Sequence, residues 1–259
     1  MDASQVSIIH LAGEGVLQKE LTHLGILIVL IIFAIIWTRR HSYLSIPTLL
    51  GIGGFSVFWQ EFYADWGAYL LWSDKYHVFP FWGPTMWTTP IKPIDVLSAY
   101  PVFFVVAFSP MLALTRRAVA KFKNTSPLLV CLLTAGPLLA FINLGLEYVS
   151  VVKAGQWTYV EVLGPAITTI KGQQPLITQN IPFGIFGAVL CYLILKLDDQ
   201  GKPTFERITH PERASTVWGR EGRRAFAWMI VWNLCYWFLL CTPLIAIRLM
   251  FGPPSALVP

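Results

Sequence analysis

The chain has 259 residues, of which 55% are hydrophobic and only 13% charged, against about 25% charged in an ordinary soluble domain. That balance argues against a water-soluble globular protein. The net charge of +5 does not point to a nucleic-acid partner, because the basic residues sit in short loops between apolar blocks, where they orient a membrane protein.

Taken in chain order, the apolar blocks predict an all-α integral membrane protein: a single domain over 1–259 forming a bundle of about six transmembrane helices, each of about 20 residues. The expected spans are about 21–38, 46–72, 94–115, 127–151, 176–197 and 226–249. The first stops at Arg39 and Arg40. The second changes halfway from plain apolar to the polar, aromatic stretch from Trp59 to Trp66. Pro80, Pro84, Pro90 and Pro93 then exclude a continuous helix. The third span closes at Arg116 and Arg117, and the fifth leads into a polar segment from Asp198 to Arg224. In that segment Asp198, Asp199, Glu206 and Glu212 interleave with Lys202, Arg207 and Arg213, as expected of a solvated, ion-paired hairpin. No internal repeat is evident.

The loops after spans one, three and five hold thirteen Lys and Arg, and the opposite side six. The positive-inside rule therefore puts those loops in the cytoplasm and both termini outside, with a bacterial cytoplasmic membrane as the expected location. The first twenty residues contain Asp2, Glu14 and Glu20 and no basic opening, so a cleaved leader is not expected. Cys131, Cys191, Cys235 and Cys241 lie inside apolar blocks with no metal or disulfide spacing. His10, His23, His41, His77 and His210 are scattered, so no metal site is expected. Nucleotide and redox fingerprints are missing too, so no cofactor is expected.

Charged groups inside a bilayer are costly, and those that remain usually have a function. Here they cluster toward the non-cytoplasmic side. Glu61 and Asp65 are four residues apart, on one helix face. Asp95 opens the third span, Asn143 and Glu147 close the fourth, and Gln174, Gln179 and Asn180 open the fifth. A helix-end reading accounts for Asp95 and Asp65, where polar groups are cheap. It accounts less well for Glu61 and Glu147, which are flanked by aromatic and aliphatic residues with no base within a turn. A carboxyl kept from water can hold its proton at neutral pH and serve as a general acid. Glu61, Asp65 and Glu147 are thus the candidate catalytic residues. Tyr63, Trp66, Tyr69, Asp95, Asn143, Tyr148, Gln179 and Asn180 are candidates for contacting substrate. For the aromatic members, anchoring at the membrane interface is the plainer reading.

Three stretches carry a resemblance: Glu147 to Tyr159, Gln174 to Asn180, and Leu197 to Arg207 with its Asp198-Asp199-Gln200-Gly201 and Glu206-Arg207. They are similar to landmarks of the bacterial AveC-type spirocyclase family, over about residues 58 to 250. The chain has Gln179 where the family often has an acid, and lacks its early Asp-Pro pair. The resemblance implies a membrane protein that forms or dehydrates a spiroketal in a polyketide by acid catalysis, without a cofactor.

The expected activity is therefore that of a cyclase (isomerase) or dehydratase (lyase) in natural product biosynthesis, acting on a hydrophobic polyketide or terpenoid. The partners are that small molecule and the lipid bilayer; the oligomeric state is not legible. Membrane terpene or meroterpenoid cyclisation is the second enzyme reading, although the last span lacks a carboxylate. A small transporter or lipid-binding protein is the non-enzymatic one, using the same acids for proton coupling.

Overall fold

The computed structural model describes residues 11–83, 85 and 87–259; His10, Pro84 and the first ten residues of the stretch read for a leader lie outside the described residues. Helices form where the apolar blocks stand. The first, α1 (Val16–His41), ends with Arg39, Arg40 and His41 at its carbonyl end, where positive charge is favourable. Ser42 takes a left-handed conformation (φ 59°) and its N–H caps Thr38. The chain re-enters through α2 (Ile46–Ser56), started by the Ser45 side chain accepting from the Thr48 N–H and by a proline in the first turn. A break at Val57 leads into α3 (Phe58–Gly67).

The helical stretch expected over 46–72 ends earlier, at Gly67. A side chain there would strike the backbone at Leu244 and Ile245, and Tyr69 turns with φ 61°. The chain then forms strand β1 (Leu70–Trp72). After the proline-rich loop come α4 (Val96–Lys121) and α5 (Pro127–Glu147), which continues as a π-helical turn over Tyr148–Lys153. Strand β2 (Trp157–Tyr159) pairs antiparallel with β1, Leu70 opposite Tyr159 and Trp72 opposite Trp157. A second hairpin joins β3 (Ala166–Thr168) to β4 (Gln173–Pro175). The chain is mostly helical, as expected, with four three-residue strands added between the helices: backbone outside the helices needs partners, and these short sheets supply them.

Next, α6 (Asn180–Leu195) leads through two 3-10 turns, Thr204–Thr209 and Pro211–Arg213, to α7 (Val217–Tyr236). A π turn over Trp237–Cys241 joins α7 to α8 (Thr242–Phe251). The last helical rod starts well before the expected 226 because Arg224, on α7, is satisfied inside the protein. It donates to Glu206 at 2.7 Å and to Glu221 at 2.6 Å. The solvated hairpin expected over 198–224 is corrected with it: Glu206 is buried at 2% exposure, and Arg207 pairs instead with Asp198 at 3.1 Å.

Four helical stretches, Val16–His41, Val96–Lys121, Pro127–Lys153 and Val217–Phe251, are long and apolar enough to cross a membrane; Ile46–Ser56 and Asn180–Leu195 are apolar but shorter. The core lies among α2, α4, α6 and α7, where Phe104, Phe108, Phe186 and Trp232 interlock with Phe104 and Trp232 centroids 4.6 Å apart. The tightest helix pair is α5 with α6, where Gly136 and Gly184 let the backbones meet. Peripheral α1 leans mainly on α4 and leaves Leu24, Ile28, Ile32 and Ile36 exposed.

Candidate active site

The polar residues clustered at one end of the helices converge on one cavity of about 200 Å³. Because Glu61 and Asp65 stand one turn apart on α3, both reach it, and their carboxyls meet each other. The Tyr236 hydroxyl donates to Glu61 at 2.5 Å and lies 2.6 Å from the Tyr100 hydroxyl, so a chain of hydroxyls runs from α4 through α7 to the acid. The Trp72 indole N–H donates to Asp65 at 2.7 Å. Asp65 is 3% exposed, whereas Glu61 is only partly buried. Asp65 sits nearer the C-terminal end of α3, but β1 folds over it, so Glu61 is the acid with the freer face.

Glu147, 6% exposed, ends α5. Both its oxygens accept from Tyr159 at 2.7 Å, and one accepts from Gln179 at 3.0 Å. Burial and the adjacent Glu147 carboxyl push the Tyr159 hydroxyl well above the usual phenol range, so it remains a donor. A π turn directly follows both Glu147 and Tyr236; such turns recur at functional sites because they displace one side chain from the helical register.

Asp95, just before α4, accepts from Ser98 at 3.2 Å and faces His23 Nδ1 at 2.9 and 3.0 Å. Lys19 Nζ donates to Gln156 at 3.0 Å and lies 4.1 Å above the Trp157 ring. Both basic residues come from α1. Phe103, Phe183, Leu240 and Leu244 give the cavity apolar walls. Two buried polar atoms of the lining residues, Gln179 Oε1 and Trp157 Nε1, have no hydrogen-bond partner among the described residues. A larger apolar groove of about 410 Å³ runs between α1, α2 and α4, but no titratable side chain lines it. Among the described residues, no group of three or more His, Cys, Asp or Glu is arranged to hold a metal ion.

Of the residues singled out from the sequence, the structure brings Glu61, Asp65, Asp95, Asn143, Glu147 and Gln179 to this cavity. It does not bring five others. Tyr63 packs on Trp237, with centroids 5.4 Å apart. Trp66 and Tyr69 sandwich the Arg248 guanidinium at 3.7 and 4.1 Å. Tyr148 is 38% exposed beside Lys153. Asn180 accepts from Asn143 at 3.1 Å and lines a separate groove between α5 and α6. These residues share sequence blocks with the acids but point to other helix faces. Sequence reasoning missed Lys19, His23, Tyr100 and Tyr236. Lys19 and His23 carried a signal, one helical turn apart on α1, but nothing showed which helix they would face. The two tyrosines were indistinguishable from ordinary span aromatics.

Residues 38–259 match the family described as Spirocyclase AveC-like, and the chain belongs to that family. No curated protein and no solved structure matches the chain. Most of α1, up to Trp37, precedes the matched residues.

Proposed function

We propose that this member of the AveC-like spirocyclase family is a membrane-embedded, cofactor-independent acid/base cyclase or dehydratase acting on a hydrophobic polyketide or terpenoid. The observation that carries the reading is the cavity itself, where Glu61, Asp65 and Glu147 meet tyrosine hydroxyls between apolar walls. Ketal formation and dehydration both need a proton placed on a departing hydroxyl and another removed from an oxygen or carbon. Glu61, relayed to Tyr236 and Tyr100, is the donor in this reading. Asp65 is its proton-sharing partner, and Glu147 the second acid. The unpartnered Gln179 Oε1 and Trp157 Nε1 suit a substrate offering both a hydroxyl and an oxygen acceptor.

At about 200 Å³ the cavity is smaller than the roughly 300–1,000 Å³ of drug-sized sites, so it receives the reacting ring segment rather than a whole macrocycle. Transport fits less well. The fully buried Phe104, Phe108, Phe186 and Trp232 fill the bundle beside the site, and a transport path needs an opening there.

In the membrane the chain takes six crossings, with α2 plus α3 as the second and α6 as the fifth. Both termini face outward, as the thirteen-to-six distribution of Lys and Arg suggests. The site then lies near the outer face of a bacterial cytoplasmic membrane. The deciding experiment is product analysis: membranes containing the chain are given aliphatic dihydroxyketones and hydroxyketones, and spiroketals or dehydrated products are sought. Membranes that convert none of them above the background of empty membranes would refute the reading.

A further inference from the structure

Cyclisation requires a base as well as an acid, and the three acids above are held by donors. Tyr236 and the meeting Asp65 occupy Glu61, Trp72 occupies Asp65, and Tyr159 with Gln179 occupies Glu147. His23 is differently placed. Its Nδ1 faces both oxygens of Asp95, at 2.9 and 3.0 Å, and Asp95 is itself fixed by the Ser98 hydroxyl. A carboxylate accepts, so the ring donates from Nδ1 and its Nε2 carries the free lone pair. That nitrogen has no partner among the described residues, while the ring lines the cavity with a side chain only 20% exposed.

We infer that His23 is the general base of this site and Asp95 its positioning residue, an inference that rests on the cyclase reading above. The step balances as follows. Glu61 gives its proton to the hydroxyl of a hemiketal, the C–O bond breaks and water leaves an oxocarbenium carbon. The second substrate hydroxyl attacks that carbon through its oxygen, and its proton passes to His23 Nε2. One C–O bond has formed and one has broken, one water is released, and no electron is transferred to an outside acceptor. The proton now on His23 returns to Glu61 through the released water, which resets both groups. Lys19, one turn before His23 and hydrogen-bonded to Gln156, helps hold this end of α1 over the cavity. His23 stands on α1, ahead of residue 38 where the family match begins.

The test uses the full chain in detergent or vesicles and one probe, the symmetrical nine-carbon dihydroxyketone whose terminal hydroxyls close on a central ketone to give two six-membered rings. His23→Asn keeps an N–H able to reach Asp95, and so keeps α1 in place, while removing Nε2. The expected result is a kcat lower by about 10²–10⁴-fold with KM within about twofold. Asp95→Asn lowers kcat as well, and imidazole added to His23→Ala restores about tenfold or more of the lost rate. A merely structural pin would not respond to imidazole. A folded His23→Asn protein with wild-type kcat, or a folded His23→Ala protein that imidazole does not rescue, overturns the assignment and leaves the cyclase reading standing. If His23→Asn does not fold, Asp95→Asn decides: a wild-type kcat there overturns the dyad. A wild-type chain that does not convert the probe overturns the base role together with the cyclase reading on which it rests.

Discussion

Tyr159 places its hydroxyl 2.7 Å from both oxygens of Glu147, tying strand β2 to the end of α5 across the wall of the cavity. The pairing of β2 with β1 sets the reach of that hydroxyl, since Tyr159 stands opposite Leu70 in the ladder. The same ladder brings Trp72 onto Asp65. The small β1–β2 sheet is thus the part of the fold that orients two acids at once.

Tyr159→Phe should therefore injure both stability and function. It removes a donor from a buried carboxyl and leaves Gln179, at 3.0 Å, and Asn143 to hold it. The expected cost is about 1–3 kcal/mol, the penalty for leaving a buried acceptor short of a partner. Thermal unfolding in detergent should show a lowered midpoint, and turnover should fall because Glu147 is no longer held in one orientation. A variant matching the parent in both measurements would show that the hydroxyl holds nothing.

The proposed crossing number and orientation can be read by thiol accessibility. All four native cysteines are buried, so background labelling should be low. Ile170→Cys, at a fully exposed tip of the second hairpin, should react with a membrane-impermeant maleimide in intact cells. Asn124→Cys, exposed between α4 and α5, should react only after permeabilisation. The reverse pattern would invert the orientation; equal labelling of both before permeabilisation would count against a crossing by α5, which separates the two positions.

The helices were legible because membrane-length apolar blocks announce themselves, and so was the clustering of acids at one end, since ionisable residues stand out against such blocks. Glu61, Asp65 and Glu147 could be named on that ground. What stayed hidden depended on contacts between distant segments. Tyr236 reaches Glu61 across 175 residues and His23 reaches Asp95 across 72, and no periodicity in one helix reveals the face of another. The strands were hidden for a different reason. Segments of three residues, such as Leu70–Trp72 and Trp157–Tyr159, are too short for an alternating pattern to register.

Glu206 shows the same difficulty on the opposite side of the molecule. Beside Arg207 and Arg213 in sequence it reads as one member of a solvated pair, yet it accepts from Arg224 at 2.7 and 3.1 Å and from the Trp228 indole at 2.7 Å. Arg224 in turn donates to Glu221, which also accepts the Leu44 N–H at 2.8 Å. The cluster binds the 3-10 turn to α7 and to the turn between α1 and α2. Breaking a buried pair by removing one charge costs about 3–5 kcal/mol. Glu206→Gln should fall near the lower end, because Glu221 still balances Arg224. Detergent unfolding should register that loss, while turnover per folded molecule stays at the parent level. An unchanged midpoint would mean that the cluster contributes no net stability.

Glu61→Gln is the substitution expected to damage turnover most. Among the acids of the cavity, Glu61 combines a partly open face with a hydroxyl relay, whereas Asp65 is closed over by Trp72 and Glu147 is clasped by Tyr159. A proton donor must meet the substrate oxygen directly, and only an acid with a free face can do so. The amide keeps the shape of the side chain and an oxygen for Tyr236 to donate to, but has no proton to give at neutral pH. Turnover should fall by about 10²–10⁴-fold, the usual worth of general acid catalysis, with the unfolding midpoint held or slightly raised because an ionisable group has left an apolar setting. Tyr236→Phe should give a smaller loss, since it takes away the relay and leaves the acid. If Glu61→Gln turns over at the parent rate while Asp65→Asn or Glu147→Gln does not, the proton comes from the acid so identified, and the relay through Tyr236 and Tyr100 serves packing alone.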